Sequence, residues 1–151
     1  MLGNTIVRLF AAGFFVLAAN VFAADTIRIA VIDPFSGAAA LQGEMGSRHM
    51  QMAVDDINAR GGVLGGTKLE LVLFDNKSSP QESLVVLKQA IDQDIRLITQ
   101  GVGSHVAHAL TDAVLKYNQR NPGREILYLS TASVKACATC EPTPWVIRRM
   151  S

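Results

Sequence analysis

"LITQGVGSHVAHAL", residues Leu97–Leu110, decides how this chain is read. An apolar run ends at Gln100, glycines follow at 101 and 103, and helical sequence begins at once. A strand, a glycine turn and a helix start in that order commonly hold an anion. Gly101-x-Gly103 is only half of a dinucleotide fingerprint, because Val106 stands where the third glycine belongs. The turn also follows the third strand rather than the first. No acidic residue is placed for a ribose, and no lysine follows to make a phosphate-binding P-loop. No nucleotide site is therefore expected. What remains is a helix N-terminus with its N–H groups, its dipole and the Ser104 hydroxyl, which suits a small carboxylate better than a polyphosphate. The same hydroxyl could instead cap its own helix, and this segment alone leaves both readings open.

Outward from this turn, strands and helices alternate. "TIRIAVI" (Thr26–Ile32) is a β-branched run bounded by Asp33-Pro34. "GSRHMQMAVDDINA" (Gly46–Ala59) reads as a helix with His49, Met50, Ala53, Val54 and Ile57 on one face. "KLELVLF" (Lys68–Phe74) is a second strand. Pro80 opens a helix through Gln93 with Leu84, Leu87 and Ile91 as its apolar stripe. "IRLITQ" (Ile95–Gln100) is a third strand, and Val106, Leu110, Ala113, Val114 and Tyr117 line a third helix. "EILYLS" (Glu125–Ser130) and "WVIRRM" (Trp145–Met150) supply a fourth strand and the start of a fifth. Such alternation with short connections predicts an α/β fold, a doubly wound parallel sheet with helices on both faces. The chain stops at its fifth strand, which predicts a truncated domain.

In such sheets ligands bind beyond the carboxyl ends of the strands. Four loops meet there: Asp33–Gly37, Asp75–Ser79, Gln100–His105 and Ser130–Val134. They are rich in glycine and in hydroxyl side chains. His105, His108 and Asp112 lie on the side of the third helix opposite its apolar stripe, which reads as a solvated surface rather than a metal site. No nucleophile with a base beside it and no paired carboxylates appear, so no enzyme, cofactor, metal or catalytic residue is expected.

Residues 1–23 read as a secretory signal peptide, with Arg8, an apolar run too short for a membrane span, and Val21-Phe22-Ala23 before the cleavage point. Residues 24–151 form the remaining domain. That remainder carries thirteen basic and thirteen acidic residues, which argues against nucleic acid as a partner. Cys137 and Cys140, in "CATC", would then lie in an oxidising compartment. They stand in an irregular, proline-flanked stretch, so a local disulfide is the preferred reading, with an exported disulfide oxidoreductase as a lesser alternative.

Three further segments carry a family resemblance: Pro34-Phe35-Ser36-Gly37 after the first strand, Asp56-Ile57-Asn58-Ala59-Arg60-Gly61-Gly62 at the end of the first helix, and Asp75-Asn76 through Pro80-Gln81. With them the chain resembles the amino-terminal lobe of the Leu/Ile/Val-binding protein family, the periplasmic substrate-binding components of ABC transporters. The resemblance implies one lobe of a type I periplasmic-binding-protein fold. It also implies a small carboxylate ligand held between two lobes, and docking on an ABC permease in the inner membrane. It places the carboxylate at Gly103, Ser104 and His105, with Phe35, Ser36 and Gln42 as a wall and Ser133 adding a hydrogen bond. Val134 stands at or near a threonine usual in the family, and His105 replaces a serine or glycine. The expected ligand is therefore an amino acid or an aromatic or other organic acid. An extracellular sensing module of a signalling system would use the same fold.

Overall fold

The computed structural model describes residues 26–131 and the backbone of 146–148. Within them the elements are β1 (Thr26–Asp33), α1 (Ala40–Ala59), β2 (Lys68–Asp75), α2 (Pro80–Asp92), β3 (Leu97–Gln100), α3 (Ser104–Arg120), β4 (Leu127–Ser130) and β5 (Val146–Arg148). The five strands form one parallel sheet in the order β2-β1-β3-β4-β5. From β1 the chain crosses to β2 on one side, then returns past β1 to β3 and on to β4. Right-handed crossovers therefore put α1 on one face and α2 and α3 on the other.

Strand side chains alternate between these faces. Ala30, Ile32, Phe74, Ile98 and Tyr128 point to the α2–α3 side. There they pack with Val86, Leu87 and Ala90 of α2 and Val106, Leu110 and Val114 of α3. The α1 side is less completely covered. Leu73, Leu127 and Leu129 lie on it and stay 51%, 36% and 40% exposed.

Two helices bury other residues than their apolar spacing predicts. α1 begins at Ala40, six residues before the expected Gly46, and its inward line is Gly43, Ser47, Met50, Val54 and Ile57. His49 and Ala53 are exposed. The inward line is chosen by size rather than hydropathy: a Cβ on Gly43 would stand 1.9 Å from the carbonyl oxygen of Pro34. Only a glycine lets the helix lie this close to the turn after β1. On α2, Ser83, Val86, Leu87 and Ala90 are buried while Leu84 is exposed. Ser83 can be buried because its hydroxyl donates to the Ser79 carbonyl at 2.7 Å. On α3 the expected stripe is found, Val106, Leu110 and Val114 fully buried with Ala113 and Tyr117 beside them.

β3 and β4 each start two residues later than the sequence suggests, at Leu97 and Leu127. Ile95 and Ile126 still enter the core, but the backbone of Ile126 is held by a side chain. Asn118, buried on α3, accepts from Ile126 N–H at 2.8 Å and donates to its carbonyl at 2.9 Å. Asn58 on α1 does the same for Leu69 in β2, at 2.8 Å in both directions. Each asparagine imitates a neighbouring strand and fixes where the chain leaves a helix for the sheet.

Candidate functional site

The strand order reverses between β1 and β3. At such a switch point the loops leaving the two strands diverge and open a crevice at their carboxyl ends. The loops here are Asp33–Gly37 and Gln100–His105, so the topology brings most of the expected site residues to one place.

Two polar side chains that end apolar strands shape the β3 loop. Asp33, the last residue of β1, is 1% exposed. Its carboxylate accepts from Gly101 N–H at 2.9 Å and from Val102 N–H at 2.9 Å. Burial pushes this carboxyl above the ordinary aspartate range, and the two N–H groups only partly offset that. Gln100, fully buried at the end of β3, turns its Nε2 to the carbonyls of Val102 and, at 3.2 Å, Gly103. Its Oε1 accepts from Tyr128 Oη at 3.1 Å and Ser130 Oγ at 3.3 Å on β4. The glycines answer to the same crowding. A Cβ at 101 would come within 3.2 Å of both Asp33 Oδ2 and Thr131 Oγ1, and Gly103 has φ +90°.

Gly103 is the N-cap of α3, and no side chain caps the helix there. Ser104 is therefore the first helical residue, and the cap position belongs to its neighbour. α2 shows the contrast, since Ser79 at its N-cap accepts from Glu82 N–H at 3.3 Å. In α3 the first backbone bond inside the turn is Ala107 N–H to the Gly103 carbonyl, 3.1 Å. The N-terminal N–H groups and the positive end of the dipole face the crevice side of the sheet.

His105 is exposed and leans over the turn. Its Nε2 lies 3.0 Å from the Ser78 carbonyl oxygen, and its Cε1 would be 3.1 Å from a Cβ at 103. The ring thus ties the β3 loop to the loop after β2. His108 and Asp112 are exposed on the same side of α3, as the sequence reading expects. Among the described residues no group of three potential ligands could hold a metal ion.

The β1 loop is fixed from the other side. Asp75 accepts from Phe35 N–H and Lys77 N–H, both at 2.9 Å. Burial works to raise this carboxyl. The Ser36 hydroxyl, the Phe35 and Lys77 N–H groups and the Lys77 charge outweigh it and hold Asp75 below its ordinary range. Phe35 is half-buried and Ser36 exposed, beside Asp75. Gln42 lies exposed in the first turn of α1, since that helix starts earlier than expected. Ser133, Cys137 and Cys140 lie outside the described residues.

Asp33 and Gln100 are the site residues that spacing alone passes over. Each is a polar side chain closing an otherwise apolar strand, "AVID" and "LITQ". A group so placed must find partners when buried, which is the signal that could have marked them.

Residues 26–149 match the family model described as periplasmic binding protein. A Leu/Ile/Val-binding protein homolog of Brucella abortus is 35% identical over 107 residues, 71% of this chain and 26% of its own length. The crystal structure of a leucine-, isoleucine-, valine-, threonine- and alanine-binding protein from Brucella ovis superposes with a TM-score of 0.73 at 31% identity. That match covers 83% of this chain and 32% of that one. A branched-chain amino-acid transporter substrate-binding protein from Streptococcus pneumoniae, solved with isoleucine, gives a TM-score of 0.60 at 26% identity, covering 74% of this chain and 30% of that one. The chain therefore spans about a quarter to a third of the length of these relatives. The turn at a β1–β3 switch point and the sheet that presents it are accordingly those of the periplasmic binding protein family, of the branched-chain amino-acid type, to which this chain belongs.

Proposed function

We propose that this chain supplies one wall of an exported solute-binding protein, working in the periplasm with an ABC permease, and that its α3 N-terminus holds the carboxylate of a small organic ligand. In this reading Gly103 and Ser104 contact the anion, and His105 closes the turn over them. Phe35, Ser36 and Gln42 line the approach, and Ser133 adds a hydrogen bond. One observation carries it: a helix N-terminus at the switch point is capped by a glycine with φ +90° and no capping side chain, with a serine hydroxyl one residue later. That arrangement pairs a favourable dipole with close backbone approach. The names of the relatives, which bind branched-chain amino acids, favour an amino acid as the ligand.

Equilibrium dialysis against isoleucine, leucine, valine and 3,4-dihydroxybenzoate tests it, with Ser104→Ala as the probe variant. Removing one hydrogen bond to a charged carboxylate costs about 1.5–3 kcal/mol, so affinity for the preferred acid should fall roughly tenfold to a hundredfold. An acid bound equally well by Ser104→Ala would place the carboxylate elsewhere.

A further inference from the structure

We infer that Gln100 is a positioning residue that aims the Gly103 and Ser104 N–H groups outward, toward the place where a carboxylate would sit; the ligand part of this inference rests on the function proposed above. A trans peptide unit is planar, with its C=O and the following N–H pointing in opposite directions. The amide of Gln100 draws the Val102 carbonyl inward, toward the core side of the loop, and shares the Gly103 carbonyl with Ala107 N–H, the first bond of α3. The two N–H groups on the same peptide units, those of Gly103 and Ser104, are thereby turned the other way. The preceding two N–H groups, of Gly101 and Val102, are taken by Asp33. One turn is thus divided: two N–H groups face a buried carboxylate of the protein, and the next two face away from the core.

The orientation of the Gln100 amide is settled by its neighbours. Carbonyls can only accept, so the nitrogen must face Val102 and Gly103. The Tyr128 and Ser130 hydroxyls can donate, so the oxygen faces them. The side chain is fully buried and bonded on both sides, so it reaches the turn in a single conformation. A leucine would fill the same space and offer the carbonyls nothing. A glutamate would set an acceptor against two acceptors.

The test has a ligand-free arm and a binding arm. Amide N–H residual dipolar couplings of the ¹⁵N-labelled protein report the direction of the Gly103 and Ser104 bonds. Isoleucine affinity is read from amide shifts on the same samples. Gln100→Leu, and Gln100→Glu should the first fail to fold, are each predicted to change the Gly103 coupling, with a smaller change at Ser104, whose peptide unit keeps the Ala107 bond, and to weaken isoleucine at least tenfold relative to the parent. Tyr128→Phe removes a partner on the far side of the amide. It should lower the melting temperature while leaving the couplings and the affinity alone, which separates aiming from a general loss of stability. Unchanged couplings in a folded Gln100 variant overturn the inference. Couplings that change as strongly in Tyr128→Phe overturn it too. A parent protein that binds no acid, with couplings that respond to Gln100 alone, supports the aiming role and defeats the carboxylate reading instead.

Discussion

Gly43 and Gly46 sit three residues apart in α1, yet the structure predicts opposite responses to alanine. In the interior of a helix, glycine to alanine gains up to about 1 kcal/mol in backbone propensity. At Gly46 a Cβ meets nothing within 4 Å, so that gain should appear nearly whole. At Gly43 the new carbon would stand 1.9 Å from Pro34 O and 2.8 Å from Pro34 C. Contacts under 3.0 Å are essentially never seen for a real Cβ, so helix and turn must separate by more than an ångström. Pro34 is buried and its ring fixes φ, so the turn yields poorly. Overpacking of this kind costs typically 1–3 kcal/mol, and a backbone obstacle belongs at the upper end. Setting about 1 kcal/mol of propensity against it leaves Gly43→Ala destabilised by about 2 kcal/mol. Urea unfolding followed by circular dichroism reads both variants. With a slope of roughly 1–3 kcal/mol/M, the Gly43→Ala midpoint should drop by about 0.7–2 M. The Gly46→Ala midpoint should rise. A Gly43→Ala midpoint at or above the parent's would show that α1 does not rest on Pro34, and the placement of the Phe35–Ser36 wall would fall with it.

Further outcomes follow from single contacts. Asn118→Ala leaves the buried N–H and carbonyl of Ile126 without their side-chain partner, and at about 1–3 kcal/mol per group should cost about 2–6 kcal/mol in the same urea assay. A loss under about 0.5 kcal/mol would mean the strand entrance finds other partners. Ser79→Ala removes the N-cap of α2 and should cost about 1 kcal/mol, with Ser79→Asp restoring most of it. Asp33 predicts a pH dependence of defined sign. Its folded-state pKa is raised by burial, so the folded chain holds the proton more tightly than the unfolded one. Its contribution to stability is fullest below the ordinary carboxylate range and is lost as pH rises through the folded value. The stability of the parent minus that of Asp33→Asn should therefore decline as pH rises from the ordinary carboxylate range through the higher folded value, and a difference that grows instead contradicts the assignment.

The order of elements is legible in the sequence because each strand and helix carries its own period. β-branched runs ended by polar loops mark the strands, and the Pro80 and Gly61-Gly62 boundaries mark helix ends. The inward faces of α1 and α2 are less legible. Hydropathy selects His49, Ala53 and Leu84, whereas packing selects Gly43, Ser47 and Ser83, because close approach to a turn or a bonded hydroxyl outweighs apolar area there. The glycine turn after β3 can be read from Gly101 and Gly103. Which residue caps α3 cannot, since either Gly103 or Ser104 fits the sequence and only φ at 103 decides. Asp33 and Gln100 escape periodicity altogether. Their roles come from strands far apart in the chain, Gln100 meeting β4 and Asp33 meeting the β3 loop, and such pairings exist only once the sheet has formed.

In the proposed function the start of α3 receives a carboxylate. Titrating the ¹⁵N-labelled protein with isoleucine and, separately, with isoleucinamide tests it directly, because the two differ only at that group. Isoleucine should shift the backbone amides of Gly103, Ser104 and His105 most strongly, and isoleucinamide should leave them in place. Equal shifts with both compounds, or isoleucine shifts that avoid these three residues, would contradict it.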